Sequence, residues 1–180
     1  MKAITLWQPW ASLLACGAKK YETRSWATSY RGPIAIHAAT ARPSIVLRKV
    51  FPLLGEWGYA LDYDAKRKFL QAIADAFEDY APIEDPLSFI EELPLGSVIA
   101  TAELVGCYPI DAERLGTLPI IVRANSKHHR TPVYTDTPEY LFGDFTKGRY
   151  AWEFANMQML PGPVPAKGKQ RLWEWKQPSD

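Results

Sequence analysis

Cysteine is scarce in this sequence of 180 residues: only Cys16 and Cys107 are present, and they form no C-x-x-C spacing. Two scattered thiols give no disulfide framework and are typical of reduced core residues in a cytosolic protein. The sequence therefore predicts a cytoplasmic location.

Long apolar runs are also missing. No segment approaches the roughly 20 apolar residues of a membrane span, and no apolar region follows the lysine within residues 1–6 to form a signal peptide. We therefore expect no membrane segment and no secretory leader. A composition of 47% hydrophobic and 23% charged residues is that of an ordinary globular protein. At this length we expect a single domain over residues 1–180.

Metal-ligand spacings are scarce as well. His128 and His129 are adjacent and have no cysteine or aspartate at ligand spacing, which makes a poor metal motif. The run from Lys127 to Arg130 is better explained as a basic loop that could touch phosphate. We expect no metal site and no cofactor.

Charge is distributed unevenly although the net charge is only +1. Residues 56–113 hold 13 acidic and 3 basic side chains, whereas the rest of the chain holds 7 acidic and 18 basic ones. A basic module is the electrostatic footprint of a nucleic-acid binder. Alternatively, the two parts neutralise each other across a packed interface, or the acidic part docks a protein partner.

Hydrophobic periodicity predicts an α+β protein. Residues 56–63 and 81–94 are expected to be loops, and Asp62 or Asp64 is expected to cap the longest helix. The predicted helices cover residues 9–16, 42–54 and 64–80, and the predicted strands cover residues 2–7, 20–26, 34–39, 97–107, 118–122, 150–154 and 172–175.

The stretch from Gly17 to Trp26 concentrates charged groups in a turn between a helix and a strand. Gly17 supplies the left-handed residue that ends the helix. On the following strand Glu22 and Arg24 share one face, and Lys19 could reach the same side. This group is either a structural ion cluster that fixes the turn, or a site that grips phosphate or polarises a carbonyl.

The sequence resembles the ASCH superfamily, a group of PUA-like small β-barrel domains. Gly17, Lys19, Glu22 and Arg24 match its G-x-K-x-x-E-x-R signature, and the similarity covers residues 2–40 and 94–175. The matching blocks are Leu6–Leu14, Ser25–Trp26, Arg31–Gly32, Gly143–Phe145, Gly148–Trp152 and Lys169–Trp173. The resemblance implies a PUA-like small mixed β-barrel with flanking helices and a helical insertion at about residues 42–93.

The resemblance also implies binding of RNA, another single-stranded nucleic acid or a modified nucleoside in a basic pocket. Cations would position phosphate, and aromatic rings such as Trp26, Tyr150 and Trp173 would stack a base. Lys147 and Lys167 add further positive charge. The expected binding residues are Lys19, Glu22, Arg24, Ser25, Trp26, Arg149, Tyr150, Lys169 and Arg171.

An enzymatic alternative follows from the same resemblance. One branch of the superfamily deacetylates N4-acetylcytidine with the signature lysine, a threonine at the position of Glu22, and a further glutamate. Lys19 and Glu22 would then be catalytic, with Glu103 as the further carboxylate if it pairs with Lys19 or Arg24; otherwise Glu103 is an outward residue on a half-exposed strand. A ribonuclease would have only Glu22, Glu103 and Asp144 as carboxylates. His37, on a buried strand, is a core residue or a secondary site candidate.

Overall fold

The computed structural model describes residues 1–54, 59–78, 85–112, 118–122 and 130–177. Within these ranges the protein is α+β, as expected, with eight strands and five helices. The strands are β1 (Lys2–Leu6), β2 (Tyr21–Arg24), β3 (Gly32–Ala38), β4 (Ser97–Ala112), β5 (Pro119–Val122), β6 (Arg130–Pro132), β7 (Tyr150–Pro165) and β8 (Leu172–Glu174). The helices are α1 (Trp10–Ala15), α2 (Pro43–Leu54), α3 (Tyr59–Ala76), α4 (Pro86–Glu91) and α5 (Pro138–Leu141).

One sheet organises the chain, in the order β2-β7-β4-β3-β1-β8, with β5 added to β4 and β6 to β5. Strands β1 and β3 run parallel, and the other pairs are antiparallel. A barrel requires the first and last strands to pair, and no such pairing joins β2 to β8 in the described ranges. The expected closed barrel is therefore not confirmed.

Side chains occupy the free edge of β2 instead. The carboxylate of Glu139 in α5 accepts hydrogen bonds from the backbone N–H groups of Lys20 at 2.7 Å and Tyr21 at 3.1 Å. The guanidinium of Arg24 donates to the carbonyl of Thr5 in β1 at 2.9 Å. The Glu139 contacts satisfy backbone groups that the exposed edge of β2 would leave unpaired, and the Arg24 bond ties β2 to β1.

Helix α1 joins two apolar cores. Leu14 packs with Ile4 and Ile36 of the sheet, whereas Leu13 packs with Phe69 and other residues of the helical layer. Each fully buried leucine contributes about 1.5–3 kcal/mol, so the helix is held from both sides. The packing of α1 therefore fixes the position of the turn that follows it.

Three local expectations are wrong. Helix α3 begins at Tyr59, inside the expected loop, so neither Asp62 nor Asp64 caps it. The expected return loop contains α4, where Pro86 occupies the first turn and Asp85 accepts a hydrogen bond from the N–H of Leu87 at 3.0 Å. Strand β7 continues to Pro165, well past the expected end.

Some expectations fall outside the described residues. They include the basic loop at residues 127–129 and part of the acidic region, and only the backbone of Arg130 is described. The hypothesis of a protein partner for the acidic region stays a prediction. Helices α2, α3 and α4 lie between residues 42 and 93. No helix in the described ranges has the length and apolar character needed to cross a membrane.

Candidate functional site

The signature residues meet at the turn between α1 and β2. Gly17 follows the helix with φ of +84°, and a Cβ there would meet nothing within 4 Å. Its role is therefore to adopt the left-handed conformation, which suits glycine. The N–H of Lys19 then donates to the carbonyl of Leu13 at 3.0 Å, which ties the turn to the helix.

Glu22 lies between two cations, and we call Lys19, Glu22 and Arg24 the ion cluster. Its Oε1 is 3.1 Å from Arg24 Nε and its Oε2 is 3.7 Å from Lys19 Nζ. Glu22 and Arg24 therefore share one strand face, as the alternation of β2 predicts. The side chains of Lys19, Glu22 and Arg24 are 1%, 11% and 26% exposed, so burial decreases from the lysine outward to the arginine.

Burial is the main influence on Lys19. Desolvation lowers the pKa of its ammonium, while Glu22 and Glu139 oppose that change and Arg24 adds slightly to it. Lys19 Nζ also donates a hydrogen bond to the backbone carbonyl of Tyr21. The result is a buried amine next to a carboxylate, which suits either a fixed structural role or proton transfer.

A basic segment, residues 166–171, packs beside the ion cluster. Gly168 approaches Thr5 so closely that a Cβ on it would lie 3.0 Å from Thr5 Oγ1. Thr5 is also the residue whose carbonyl binds Arg24. Gly168, which lies between the exposed Lys167 and Lys169, thus contacts the same residue as the guanidinium of the signature.

The buried His37 side chain forms a hydrogen bond with the first residue of the basic segment. It is only 1% exposed, and its Nε2 lies 3.0 Å from the carbonyl of Ala166. A carbonyl can only accept, so Nε2 carries a proton, and in the neutral ring Nδ1 does not. Nδ1 has no hydrogen-bond partner among the described residues. Burial lowers the pKa of His37, and the bond to Ala166 opposes this change.

Trp26 lies two residues beyond Arg24 and is half-buried against the sheet core. Its ring packs edge-on against Trp152 with centroids 4.6 Å apart, and Arg171 Cζ lies 5.9 Å from its centroid, in cation–π range. Tyr150 is half-buried against the sheet core. Trp173 is buried and donates to Thr5 Oγ1 at 3.1 Å, so the expectation that Trp173 stacks a base is wrong.

The remaining predicted residues lie apart from this group or at its rim. Arg149 donates to the carbonyls of Asp144 at 3.1 Å and Thr23 at 3.3 Å, so its guanidinium is engaged by backbone groups outside the ion cluster. Lys147 pairs with Asp111 at 2.9 Å. Ser25 is exposed at the end of β2.

Glu103 does not join the ion cluster. It is exposed and accepts a hydrogen bond from Asn156 Nδ2 at 3.1 Å, which fits the alternative of an outward residue on β4. Asp144 pairs with Arg149 at 3.2 Å. The three carboxylates considered for a ribonuclease thus have separate partners. In the described part of the chain, no group of three or more histidine, cysteine, aspartate or glutamate side chains is arranged to hold a metal.

A cleft of about 300 Å³ opens beside Lys19. We call it the Lys19 cleft; it is lined by Leu14, Gly17, Lys19, Lys20 and residues 153–157 of β7. Sequence reasoning missed the β7 wall because it ended that strand at Phe154. Trp7, 50% exposed just after β1, is a second surface aromatic that periodicity did not single out.

Comparison with known proteins gives a family and a local similarity. A model of the ASCH domain matches residues 4–159. Activating signal cointegrator 1 is 51% identical over 41 residues in Mus musculus and 49% identical over 41 residues in Homo sapiens. Each alignment covers 23% of this chain and only 7% of the relative. Since the family model covers most of the sequence, the resemblance is confirmed and the chain belongs to the ASCH domain family.

Proposed function

We propose that this protein binds single-stranded RNA, or a modified nucleoside, at the ion cluster, the Lys19 cleft and the basic segment. One observation carries the proposal: the basic segment packs on Thr5, the residue that holds the Arg24 guanidinium. Three exposed cations therefore adjoin the family signature. Membership of the ASCH family supports an RNA ligand.

The chemistry of this surface suits a flexible nucleic acid strand. Lys167 and Lys169 are exposed and make no ion pair within the described residues, so both are available to phosphate. Trp7 is 50% exposed and offers an indole ring on which a base can stack, and a base could displace Arg171 from the ring of Trp26; each stacked base contributes about 1–3 kcal/mol. Single strands present unstacked bases, which a duplex does not.

The test is fluorescence anisotropy with a labelled single-stranded RNA at about 50 and about 200 mM salt. We expect affinity to fall at least about tenfold between these conditions, because three or four phosphate contacts give a salt slope of roughly −2 to −3. A duplex DNA of equal length serves as the control ligand. No binding at the lower salt concentration would contradict the proposal.

A hydrolase is the second candidate, because burial lowers the pKa of Lys19 as a base or nucleophile requires. Glu22 opposes this by favouring the ammonium form, and it stands where the deacetylating branch has threonine. If the protein deacetylates N4-acetylcytidine, Lys19→Met abolishes turnover in a folded protein and Glu22→Thr retains it. Absence of turnover in both wild type and Glu22→Thr rejects this candidate.

Finer expectations belong to the same proposal. They are a PUA-like small mixed β-barrel, one domain over residues 1–180 with a helical insertion at about 42–93, and a cytoplasmic location. Limited proteolysis tests the domain boundaries: a single domain yields one protected fragment that contains both β1 and β8.

A further inference from the structure

The basic segment lies directly on a histidine of the sheet. His37 is buried, and its neighbours across the strands are Thr5 of β1 and Val98 of β4. Trp173 of β8 packs edge-on against the ring with centroids 5.6 Å apart. Gly168 completes the enclosure, since a Cβ on it would lie 2.4 Å from His37 Cε1 and 2.7 Å from Nδ1. The backbone of the basic segment therefore covers the imidazole.

The hydrogen bonding of His37 suits only the neutral ring. Nε2 donates to the carbonyl of Ala166 at 3.0 Å, whereas Nδ1 has no partner in the described part of the chain. A proton added at Nδ1 would create a buried cation with one unsatisfied N–H, which is costly away from water. Displacement of the basic segment would expose the ring to water and remove that cost.

The charged groups around His37 also disfavour a second proton. The exposed Lys167 and Lys169 flank the glycine that covers the ring, and the Arg24 guanidinium reaches β1 at Thr5, the residue opposite His37. His37 forms no ion pair within the described residues. The other charged side chains of β1, β4 and β8 have partners of their own, in the pairs Lys2–Glu174, Asp111–Lys147 and Glu103–Asn156.

We propose that His37 is a pH-dependent switch: the neutral ring holds the basic segment on the sheet, and protonation releases the segment and weakens RNA binding. This inference rests on the proposed function, because it concerns the regulation of the same surface. In a released segment His37 meets water and has a pKa of about 6.5, whereas burial lowers the pKa of the enclosed ring. Protons therefore favour the released state as the pH falls below about 6.5.

Release of the segment should change RNA affinity in the opposite direction from the other titrating groups. Protonation of His128, His129 or a carboxylate makes the protein more positive, which strengthens binding to phosphate. Release instead frees Lys167 and Lys169 from their fixed place beside Thr5. By anisotropy we expect the affinity of wild type for single-stranded RNA to fall about three- to tenfold between about pH 7.5 and about pH 5.

His37→Gln and Gly168→Ala represent the two states of the switch. Glutamine can donate to the carbonyl of Ala166 and does not titrate, so RNA affinity of His37→Gln should rise on acidification. Gly168→Ala places a Cβ 2.4 Å from His37 Cε1 and should displace the segment at every pH, so its affinity should already be reduced about three- to tenfold at neutral pH. Gly162→Ala, whose Cβ meets nothing within 4 Å, is the matched control and should behave as wild type.

NMR of the protein without RNA follows the switch by itself. The readouts are the amide shifts of residues 166–171 and the indole N–H shift of Trp173, while the amide shifts of β3 and β4 show that the protein stays folded. On acidification the wild-type shifts should approach those of Gly168→Ala, and the shifts of His37→Gln should stay constant. If His37→Gln does not fold, the comparison of wild type with Gly168→Ala gives the same decision.

The two assays together separate the switch from the proposed function. Segment shifts that do not titrate, or an RNA affinity that does not fall on acidification of wild type, overturn the switch and leave the proposed function standing. Titrating shifts without RNA binding at any pH support release of the segment and reject the RNA surface. Absence of both signals rejects both.

Discussion

The ion cluster and the basic segment both contact Thr5, through Arg24 and Gly168 respectively, and their lysines differ in burial. Lys19 of the ion cluster is 1% exposed and faces a carboxylate, whereas Lys167 and Lys169 of the basic segment are exposed. A buried charge is costly to desolvate and depends on its partner. An exposed charge acts on ligands over about 10 Å at moderate salt. Under the proposed function, the ion cluster sets the geometry of the site and the basic segment attracts the ligand.

The largest expected effect comes from removing the carboxylate of the ion cluster. Glu22→Gln removes the carboxylate that lies between Lys19 and Arg24 and leaves only the more distant charge of Glu139 to oppose their repulsion. Breaking a buried pair costs about 3–5 kcal/mol, and we expect the lower value of about 3 kcal/mol because Lys19 can release its proton. Urea unfolding measures the change, with Glu92→Gln, an exposed carboxylate just after α4, as the control. A loss below about 1 kcal/mol would show that the cluster does not support the fold.

Substitutions in the basic segment should lower the affinity for RNA and leave the stability of the fold almost unchanged. The double variant Lys167→Ala/Lys169→Ala removes two exposed charges, so we expect affinity for single-stranded RNA to fall about tenfold and a shallower salt slope. Stability should change by less than about 0.5 kcal/mol, as for most surface substitutions. Lys49→Ala, an exposed cation on α2, is the matched control in the same anisotropy assay. Equal losses in the two variants would remove the basic segment from the binding surface.

A smaller effect is expected at the turn that positions Lys19. Gly17→Ala places a side chain at φ of +84°, which costs about 1–2 kcal/mol in backbone strain. Nothing lies within 4 Å of the new Cβ, so strain is the only cost. Gly162→Ala is the control, since it also has open space and no positive φ. Thermal unfolding of the two variants should differ by this amount, and equal midpoints would contradict the assignment.

Local features of the site could be predicted from the sequence. Gly17 ending a helix, and Glu22 and Arg24 sharing a strand face, depend on neighbours only a few residues apart. The start of α4 at Asp85 and Pro86 is an equally local feature. It was not predicted, because proline and acidic residues are also frequent in loops. Its N-cap aspartate and N1 proline were present in the sequence as a usable signal.

Contacts between distant segments could not be predicted. The bond from Arg24 to Thr5 and the wall formed by residues 153–157 depend on how β4 and β7 align. That alignment contains register shifts, one of them at Asn156, and strand periodicity does not encode a bulge. Closure of the sheet likewise depends on whether its two edge strands pair with each other. At β2 the side chain of Glu139 bonds to the edge instead.

The smallest predicted effect concerns His37, which is buried and anchors the basic segment. Because burial lowers its pKa, the unfolded chain binds a proton more readily than the folded protein at pH values below about 6.5. Stability should therefore fall as the pH decreases through that value towards the folded-state pKa. His37→Gln removes the titrating group, so the difference in unfolding free energy between wild type and variant should shrink between about pH 7.5 and about pH 5. Subtracting the two proteins cancels the other titrating groups, and a difference that stays constant with pH would mean that His37 accepts a proton equally well in both states.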